Sequence, residues 1–422
     1  MTSVAELAEL IPSALERING VAELTPVQRN ARLSTLTGSE VWLKREDLQP
    51  VRSYKLRGAY NLIAQLSSDE QRAGVVCASA GNHAQGVAFS ASQLGIHATI
   101  FVPHTTPRQK RERITALGGG HVELVMAGST YDQASNASKE FAKAEGKVLV
   151  PAFDDPRTIA GQATAVAEAF EQLDFVPDVV LLPVGGGGLL SGAAAWLRTH
   201  HPEVRIVGVE PEGAPCVAAA LSSGRPMELS DIDTFVDGAA VSRVGDVTFD
   251  IIREAKPELV RVPEGQVCSE MLDMYQIDGI IAEPAGALAS SALPTGGVGT
   301  RVQIPGGSKV LSLISGGNND VARYAEVVER SLIHEGRKRY FLVSFPQQPG
   351  ALRRFLDEVL GPDDDIAHFE YVKRSSRETG PAMVGIELGN PGDYPFLMQR
   401  IAEVGMEVEL ITYGSPLFRF LV

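Results

Sequence analysis

The stretch Val179-Val180-Leu181-Leu182-Pro183-Val184-Gly185-Gly186-Gly187-Gly188-Leu189-Leu190-Ser191-Gly192 runs from a β-branched apolar segment, through four glycines, into a helical pattern of small residues. No charge occurs between positions 179 and 197, so hydropathy alone would admit a membrane span. Pro183 and the four glycines would make a poor lipid-facing helix, whereas a buried strand, a glycine turn and a helix account for the same residues. Glycines let backbone N–H groups converge on an anion, and a helix start adds the positive end of its dipole. A phosphate is the natural guest. A tight turn with close helix–sheet packing is the alternative for a lone glycine run. A P-loop does not fit, because no Lys-Ser/Thr follows. A dinucleotide site stays open, although the glycine spacing departs from the usual fingerprint and Glu210 alone supports it.

The same transition recurs on both sides of this stretch. Val75-Val76-Cys77 runs into Ala78-Ser79-Ala80-Gly81-Asn82-His83, and Leu311-Ser312-Leu313-Ile314 runs into Ser315-Gly316-Gly317-Asn318-Asn319. Residues 98–102, 121–126 and 205–210 read as further strands, and helical patterns cover 84–94, 108–117 and 131–145. This alternation predicts parallel sheets covered by helices, with a ligand crevice beyond the carboxyl ends of the strands. After about Val321 the pattern changes. A connecting helix (321–332) leads to a strand (339–345), a helix (351–360), two strands (366–372 and 382–388), a helix (394–404) and a strand (407–412). The order β-α-β-β-α-β belongs to the ferredoxin-like arrangement, and about 85 residues suffice for such a domain.

Composition narrows the function classes. The 422 residues carry 38 basic and 52 acidic side chains, a net charge of −14, which argues against a nucleic-acid partner. Glycine is in excess, 42 residues against a typical share of roughly 7%. Cys77, Cys216 and Cys268 are scattered without metal-ligand or disulfide spacing, which fits a reducing cytosol. No secretory signal or membrane segment is expected, and the localisation read from these features is cytoplasmic.

Two further stretches could carry chemistry. Lys44-Arg45-Glu46-Asp47 precedes Arg52-Ser53-Tyr54-Lys55-Leu56-Arg57-Gly58-Ala59. A lysine at a helix start is ordinarily a solvated charge, but one with a depressed pKa can form a Schiff base and later act as a base. Ser79-Ala80-Gly81-Asn82-His83-Ala84-Gln85-Gly86 offers backbone donors and an amide at a helix start, suited to a carboxylate. A plainly capped helix is the alternative, and His83 is open between packing, capping and acid–base work.

Five signatures occur in one order: Ser53 to Ala59, Ser79 to Gly86, Gly185 to Leu189, Ala282-Glu283-Pro284-Ala285-Gly286-Ala287, and Ser315-Gly316-Gly317-Asn318. Together they resemble the threonine dehydratase (threonine ammonia-lyase) family, within the tryptophan-synthase-β-like, fold-type II pyridoxal-phosphate enzymes. Tyr54 stands where many members have Phe. The resemblance implies an α/β fold: a two-lobed parallel-sheet catalytic unit over residues 1–320, with a smaller lobe at roughly 55–150. A connecting helix (321–337) and an α+β, ferredoxin-like, ACT-like regulatory domain (338–422) follow.

The resemblance also implies roles. Lys55 carries pyridoxal 5′-phosphate and serves as catalytic base. Gly185, Gly186, Gly187, Gly188 and Leu189 hold its phosphate, Asn82 its ring hydroxyl, and Ser315 faces its ring nitrogen. Ser79, Ala80, Gly81, Asn82 and His83 grip the substrate carboxylate; Glu283 lies near the ring without an assigned role. Some relatives bind a divalent ion through the glutamate matching Glu210 and a downstream aspartate. Cys216 stands at that second place here, so no metal is assigned. The implied reaction is deamination of L-threonine to 2-oxobutanoate and ammonia, inhibited by isoleucine, with valine as a possible opposing effector, in a homotetramer. The rivals are a serine/threonine racemase or serine dehydratase of the same fold, and a non-catalytic amino-acid- or nucleotide-binding protein.

Overall fold

Six strands form the larger sheet, in the order Val27–Arg29, Glu40–Arg45, Lys309–Ile314, Val179–Pro183, Arg205–Pro211 and Glu258–Val262. Every neighbouring pair is parallel except the first. A four-stranded sheet, parallel throughout, is ordered Val122–Met126, Ala98–Val102, Val75–Ala78 and Val148–Leu149. The structure is a computed structural model that describes residues 2–293, 302–371, 378–412, 415–418 and 421. Both parallel sheets belong to one unit, residues 1–320, and residues 321–422 form a second. No helix among the described residues is long and apolar enough to cross a membrane.

Burial explains why the strands read as unbroken apolar runs. All five residues of Val179–Pro183 and of Ala98–Val102 are buried, as strands covered by helices on both faces must be. In the smaller lobe, Ala84, Val87, Ala88 and Ala91 of helix Asn82–Leu94 pack on Val75, Cys77, Ile100 and Val102. Ala59, Leu62 and Ile63 of helix Lys55–Ile63 join the same core. The three strand-to-glycine transitions lie at carboxyl strand ends, after Ala78, Pro183 and Ile314.

Four strands were not foreseen from the residues: Glu40–Arg45, Val27–Arg29, Val148–Leu149 and Glu258–Val262. The first ends in Lys44-Arg45, which resembles a solvated charge cluster. Yet Val41, Leu43 and Lys44 are all 0% exposed, and Glu40–Arg45 pairs along its whole length with Lys309–Ile314. The sheet therefore joins the first fifty residues to the last strand of the unit.

In the second unit the strands are antiparallel, ordered Asp365–Tyr371, Thr379–Glu387, Lys338–Pro346 and Glu407–Ile411. Helices Ala351–Val359 and Tyr394–Val404 complete the β-α-β-β-α-β order. Val372, read as the end of a strand, lies outside the described residues. Strand alternation divides the packing. Phe341, Val343 and Phe345 meet Phe355, Val359, Leu397 and Ile401 of the two helices. Tyr340 instead joins Ile333, Ile411 and Phe418 in a separate cluster. Helix Tyr324–His334, read as a connector, thus packs on the sheet through Ile333, and its Glu329 accepts from Lys338 Nζ at 2.6 Å and Tyr340 Oη at 2.7 Å.

Candidate active site

Lys55 opens helix Lys55–Ile63 directly after a loop sewn to a strand end. Tyr54 N donates to Ser315 O at 3.1 Å, Gly317 N donates to Arg52 O at 2.9 Å, and Ser53 bridges Gly316. Arg52 takes a positive φ of 56° to make this turn, a conformation costly for a non-glycine residue and held here by the paired backbone on both sides. The helix is also gripped from its flanks. A side chain on Gly86 would stand 3.1 Å from the Lys55 backbone, and one on Gly161 would stand 2.5 Å from Arg57 O. Glycine at these points lets helices Asn82–Leu94 and Pro156–Gln172 approach the Lys55 helix closely. The Lys55 ammonium lies 5.2 Å from the centroid of the Tyr54 ring.

Beneath Lys55 lies a buried charge network that the residues did not disclose. Arg57, 0% exposed, donates to Glu46 at 2.7 and 2.8 Å and to Glu168 at 2.9 and 3.0 Å. Lys44 binds Glu168 as well, together with Thr25 O at 2.7 Å. Two cations face two carboxylates, so the cluster is neutral and its polar atoms are paired. Burial opposes ionisation of Glu46, but the adjacent Arg57 outweighs it and holds the carboxyl below its ordinary value. The one signal in the sequence was a lysine closing an apolar strand. Glu168 is 124 positions from Lys44, beyond the reach of local patterns.

The four glycines line a tight cradle between strand Val179–Pro183 and helix Gly188–His200. A Cβ on Gly185 would stand 3.0 Å from Ala239, and on Gly187 2.9 Å from Ile252. On Gly186 or Gly188 it would come closer than 3.0 Å to Phe153. Gly187 also has φ +92°, which only glycine adopts readily. Thr248 Oγ donates to Gly186 O at 2.8 Å and anchors the loop from behind. The first turn of the following helix leaves its N–H groups without intrahelical partners. Those donors, on a backbone stripped of side chains, suit a phosphate.

Asn82 and Glu283 meet across the lobes, with His83 next to Asn82 in the chain. Asn82 Nδ2 donates to Glu283 Oε1 at 2.5 Å, and Asn82 Oδ1 accepts from Asn318 at 2.7 Å. Burial, with Asp237 adding repulsion, pushes the Glu283 carboxyl up to about 7. His83 Nε2 lies 2.8 Å from Val150 O, so that nitrogen carries the proton and the ring is packed into the smaller lobe. Burial pushes His83 down to about 4, with Lys55 adding to the effect; the imidazole is neutral near pH 7. Ser79 Oγ accepts from Gly81 N at 3.2 Å, shaping the loop before the helix. Ser315, 3% exposed, donates to Ala285 O at 3.0 Å.

The remaining acid is held differently. Glu210 accepts from Val217 N and Ala218 N at 2.7 and 3.0 Å, and burial still pushes it up to about 7. Cys216 donates its thiol to Gly185 O at 3.4 Å, so this residue touches the glycine loop.

The glycine loop, the Ser79–His83 loop and Ser315 thus follow carboxyl strand ends, and the loop before Lys55 is tied to Ser315 through Tyr54. Gly185 abuts Ala239, and the adjoining Gly238 lies within 4.0 Å of Asn82 and Glu283, counted from the Cβ it lacks. A lysine amine, a glycine cradle free of side chains and an asparagine–glutamate pair fit a small phosphorylated aromatic aldehyde. Residues 18–316 match the family described as pyridoxal-phosphate dependent enzymes.

The chain belongs to the pyridoxal-phosphate dependent enzymes. Residues 329–421 of this family member match a second description, the C-terminal regulatory domain of threonine dehydratase. It is 54% identical to the biosynthetic L-threonine dehydratase IlvA of Mycobacterium tuberculosis over 98% of this chain and 95% of that protein. Among solved structures, it resembles the processed form of threonine deaminase isoform 2 from Solanum lycopersicum. There the TM-score is 0.72 at 36% identity, covering 77% of this chain and 93% of that one. Maize serine racemase gives a TM-score of 0.70 at 28% identity, covering 79% of this chain and 99% of that one.

Proposed function

We propose that this pyridoxal-phosphate enzyme deaminates L-threonine to 2-oxobutanoate and ammonia, and that isoleucine inhibits it through the C-terminal domain. One observation carries the reading: a single chain pairs the catalytic family with the regulatory domain of threonine dehydratase, over almost the full length of a 54% identical threonine dehydratase. The likeness to maize serine racemase supports the shared fold. The regulatory domain favours the dehydratase over a racemase, because an amino-acid-sensing module suits the committed step of a biosynthesis.

Bound pyridoxal phosphate supplies an electron sink that acidifies the substrate α-carbon. The chain supplies everything else. Backbone N–H groups of Gly185, Gly186, Gly187, Gly188 and Leu189 hold the phosphate; Asn82 contacts the ring hydroxyl, its amide oriented by Glu283 and Asn318. Ser315 faces the ring nitrogen with a neutral hydroxyl. The substrate carboxylate sits on the loop Ser79, Ala80, Gly81, Asn82 and His83. His83 contributes its backbone there, because its Nε2 proton is already committed to Val150 O. The Lys55 amine binds the cofactor, takes the α-proton and returns a proton on product release. Loss of the β-hydroxyl as water leaves 2-aminobut-2-enoate, which hydrolyses to 2-oxobutanoate and ammonia.

The assembly proposed is a homotetramer in the cytoplasm, with valine as a candidate counter-effector. The test is an assay of 2-oxo acid from L-threonine and L-serine, with and without isoleucine. Product from threonine, suppressed by isoleucine, is expected. Racemised serine without oxo acid would establish the racemase reading instead, and a colourless protein that binds no pyridoxal phosphate would sink both.

A further inference from the structure

Asp237 occupies the loop between helices Cys216–Ser223 and Asp246–Ala255 of the larger lobe. Its carboxylate accepts from Lys110 Nζ at 2.8 Å, and Lys110 belongs to helix Arg108–Gly118 of the smaller lobe. The next two residues of that loop touch the site. A Cβ on Gly238 would stand 2.7 Å from the Ala285 side chain, 3.7 Å from Glu283 Oε1 and 4.0 Å from Asn82 Nδ2, while Ala239 backs the cradle at Gly185. Three consecutive residues thus run from an inter-lobe ion pair to both halves of the candidate site. Close-packed walls of this kind transmit small displacements.

We propose that Asp237 is a positioning residue: paired with Lys110, it draws the smaller lobe onto the larger and so sets Asn82 against Glu283 for substrate binding. The two side chains are 31% and 40% exposed, and ion pairs in that setting bias an equilibrium only several-fold. A reversible latch needs that size. The closed arrangement is favoured, yet admitting substrate and releasing product break no deep contact. The charge arrangement is complementary, since helix Arg108–Gly118 carries Arg108, Lys110, Arg111 and Arg113 against a single Glu112. Arg113 makes a second tie across the lobes, donating to Pro50 O at 3.2 Å, and so supports the docking without depending on Asp237.

The inference rests on the dehydratase reading for its assay, so the experiment has two arms on the full-length, cofactor-loaded protein. In the first, Lys110→Glu and Asp237→Lys are made singly and together. Each single variant should raise KM for L-threonine about three- to tenfold with kcat held within about twofold, and the double variant should recover most of the loss. Raised salt should move the wild-type KM toward the single-variant value. A merely structural Asp237 would not be rescued by a reversed partner. Singles indistinguishable from wild type, or a double variant no better than the worse single, would overturn the proposal. Asp237→Asn keeps the shape and serves where the lysine variant does not fold.

The second arm reads the lobes without turnover. Spin labels on Lys143→Cys and Ser222→Cys, one on each lobe, report their separation, and the native cysteines are buried. The single variants should broaden the distribution toward longer distances, and the double variant should narrow it again. An unchanged distribution overturns the proposal. A wild-type enzyme that makes no 2-oxobutanoate would defeat the activity reading while leaving this arm intact.

Discussion

Asn82 donates its amide to the Glu283 carboxylate at 2.5 Å, joining the first residue of a smaller-lobe helix to the residue that precedes helix Pro284–Ser291. Glycine makes the contact possible, since a side chain on Gly316 would strike the same carboxylate oxygen. Glu283 is buried, and its carboxyl is raised to about 7 from an ordinary value of 4.5.

That shift predicts a pH dependence of stability. Below pH 4.5 Glu283 is protonated in folded and unfolded chains alike, and burial costs nothing extra. Between 4.5 and about 7 the unfolded chain releases its proton first, so stability falls as pH rises, by on the order of 3 kcal/mol once both states are ionised. Glu283→Gln keeps the acceptor for Asn82 and carries no charge. Melting of the cofactor-free proteins from pH 4.5 to 8 should show the variant gaining on wild type up to about pH 7 and holding that gain above it. Parallel curves would mean that Glu283 does not titrate in this window. Glu210 shifts with the same sign, but it is present in both proteins and cancels.

Gly186→Ala should disable the cradle while sparing the fold. The new methyl meets the Phe153 ring, and overpacking of this kind costs about 1–3 kcal/mol. Retention of pyridoxal phosphate should drop by more than about tenfold, because misplacing the loop removes several N–H donors together. Titration of the cofactor-free variant by absorbance measures it. Wild-type affinity would place the phosphate elsewhere.

Arg57 should prove a stability residue for the Lys55 helix. Arg57→Met leaves Glu46 and Glu168 buried against only Lys44, and breaking a buried pair costs about 3–5 kcal/mol. Urea unfolding should show that loss, and Glu168→Gln a smaller one. A variant as stable as wild type would mean that water enters the cluster.

Lys55→Ala should remove turnover and the absorption band of covalently held cofactor, with the melting curve little changed because the residue is only partly buried. A base usually contributes about 10²–10⁴ in rate, and this lysine also tethers the cofactor, so the loss should exceed that range. Residual threonine deamination within tenfold of wild type would remove Lys55 from its role.

The amino-acid sequence by itself determined the parallel-sheet class, most of the strands and the glycine-rich strand ends. Those signals are local: apolar runs report burial on both faces, and glycine marks where a backbone must approach something closely. The antiparallel second unit was equally legible, because its strand and helix periods alternate in a known order. Tertiary structure alone decided what the charged residues do. Nothing local shows that Lys44 and Arg57 are neutralised in the interior by Glu168, more than a hundred positions away. His83 was open between packing, capping and acid–base work until the fold committed its Nε2 proton to Val150 and held the ring neutral. Residue types state which chemistry is available; burial and the partner across the cleft set which charge each group holds.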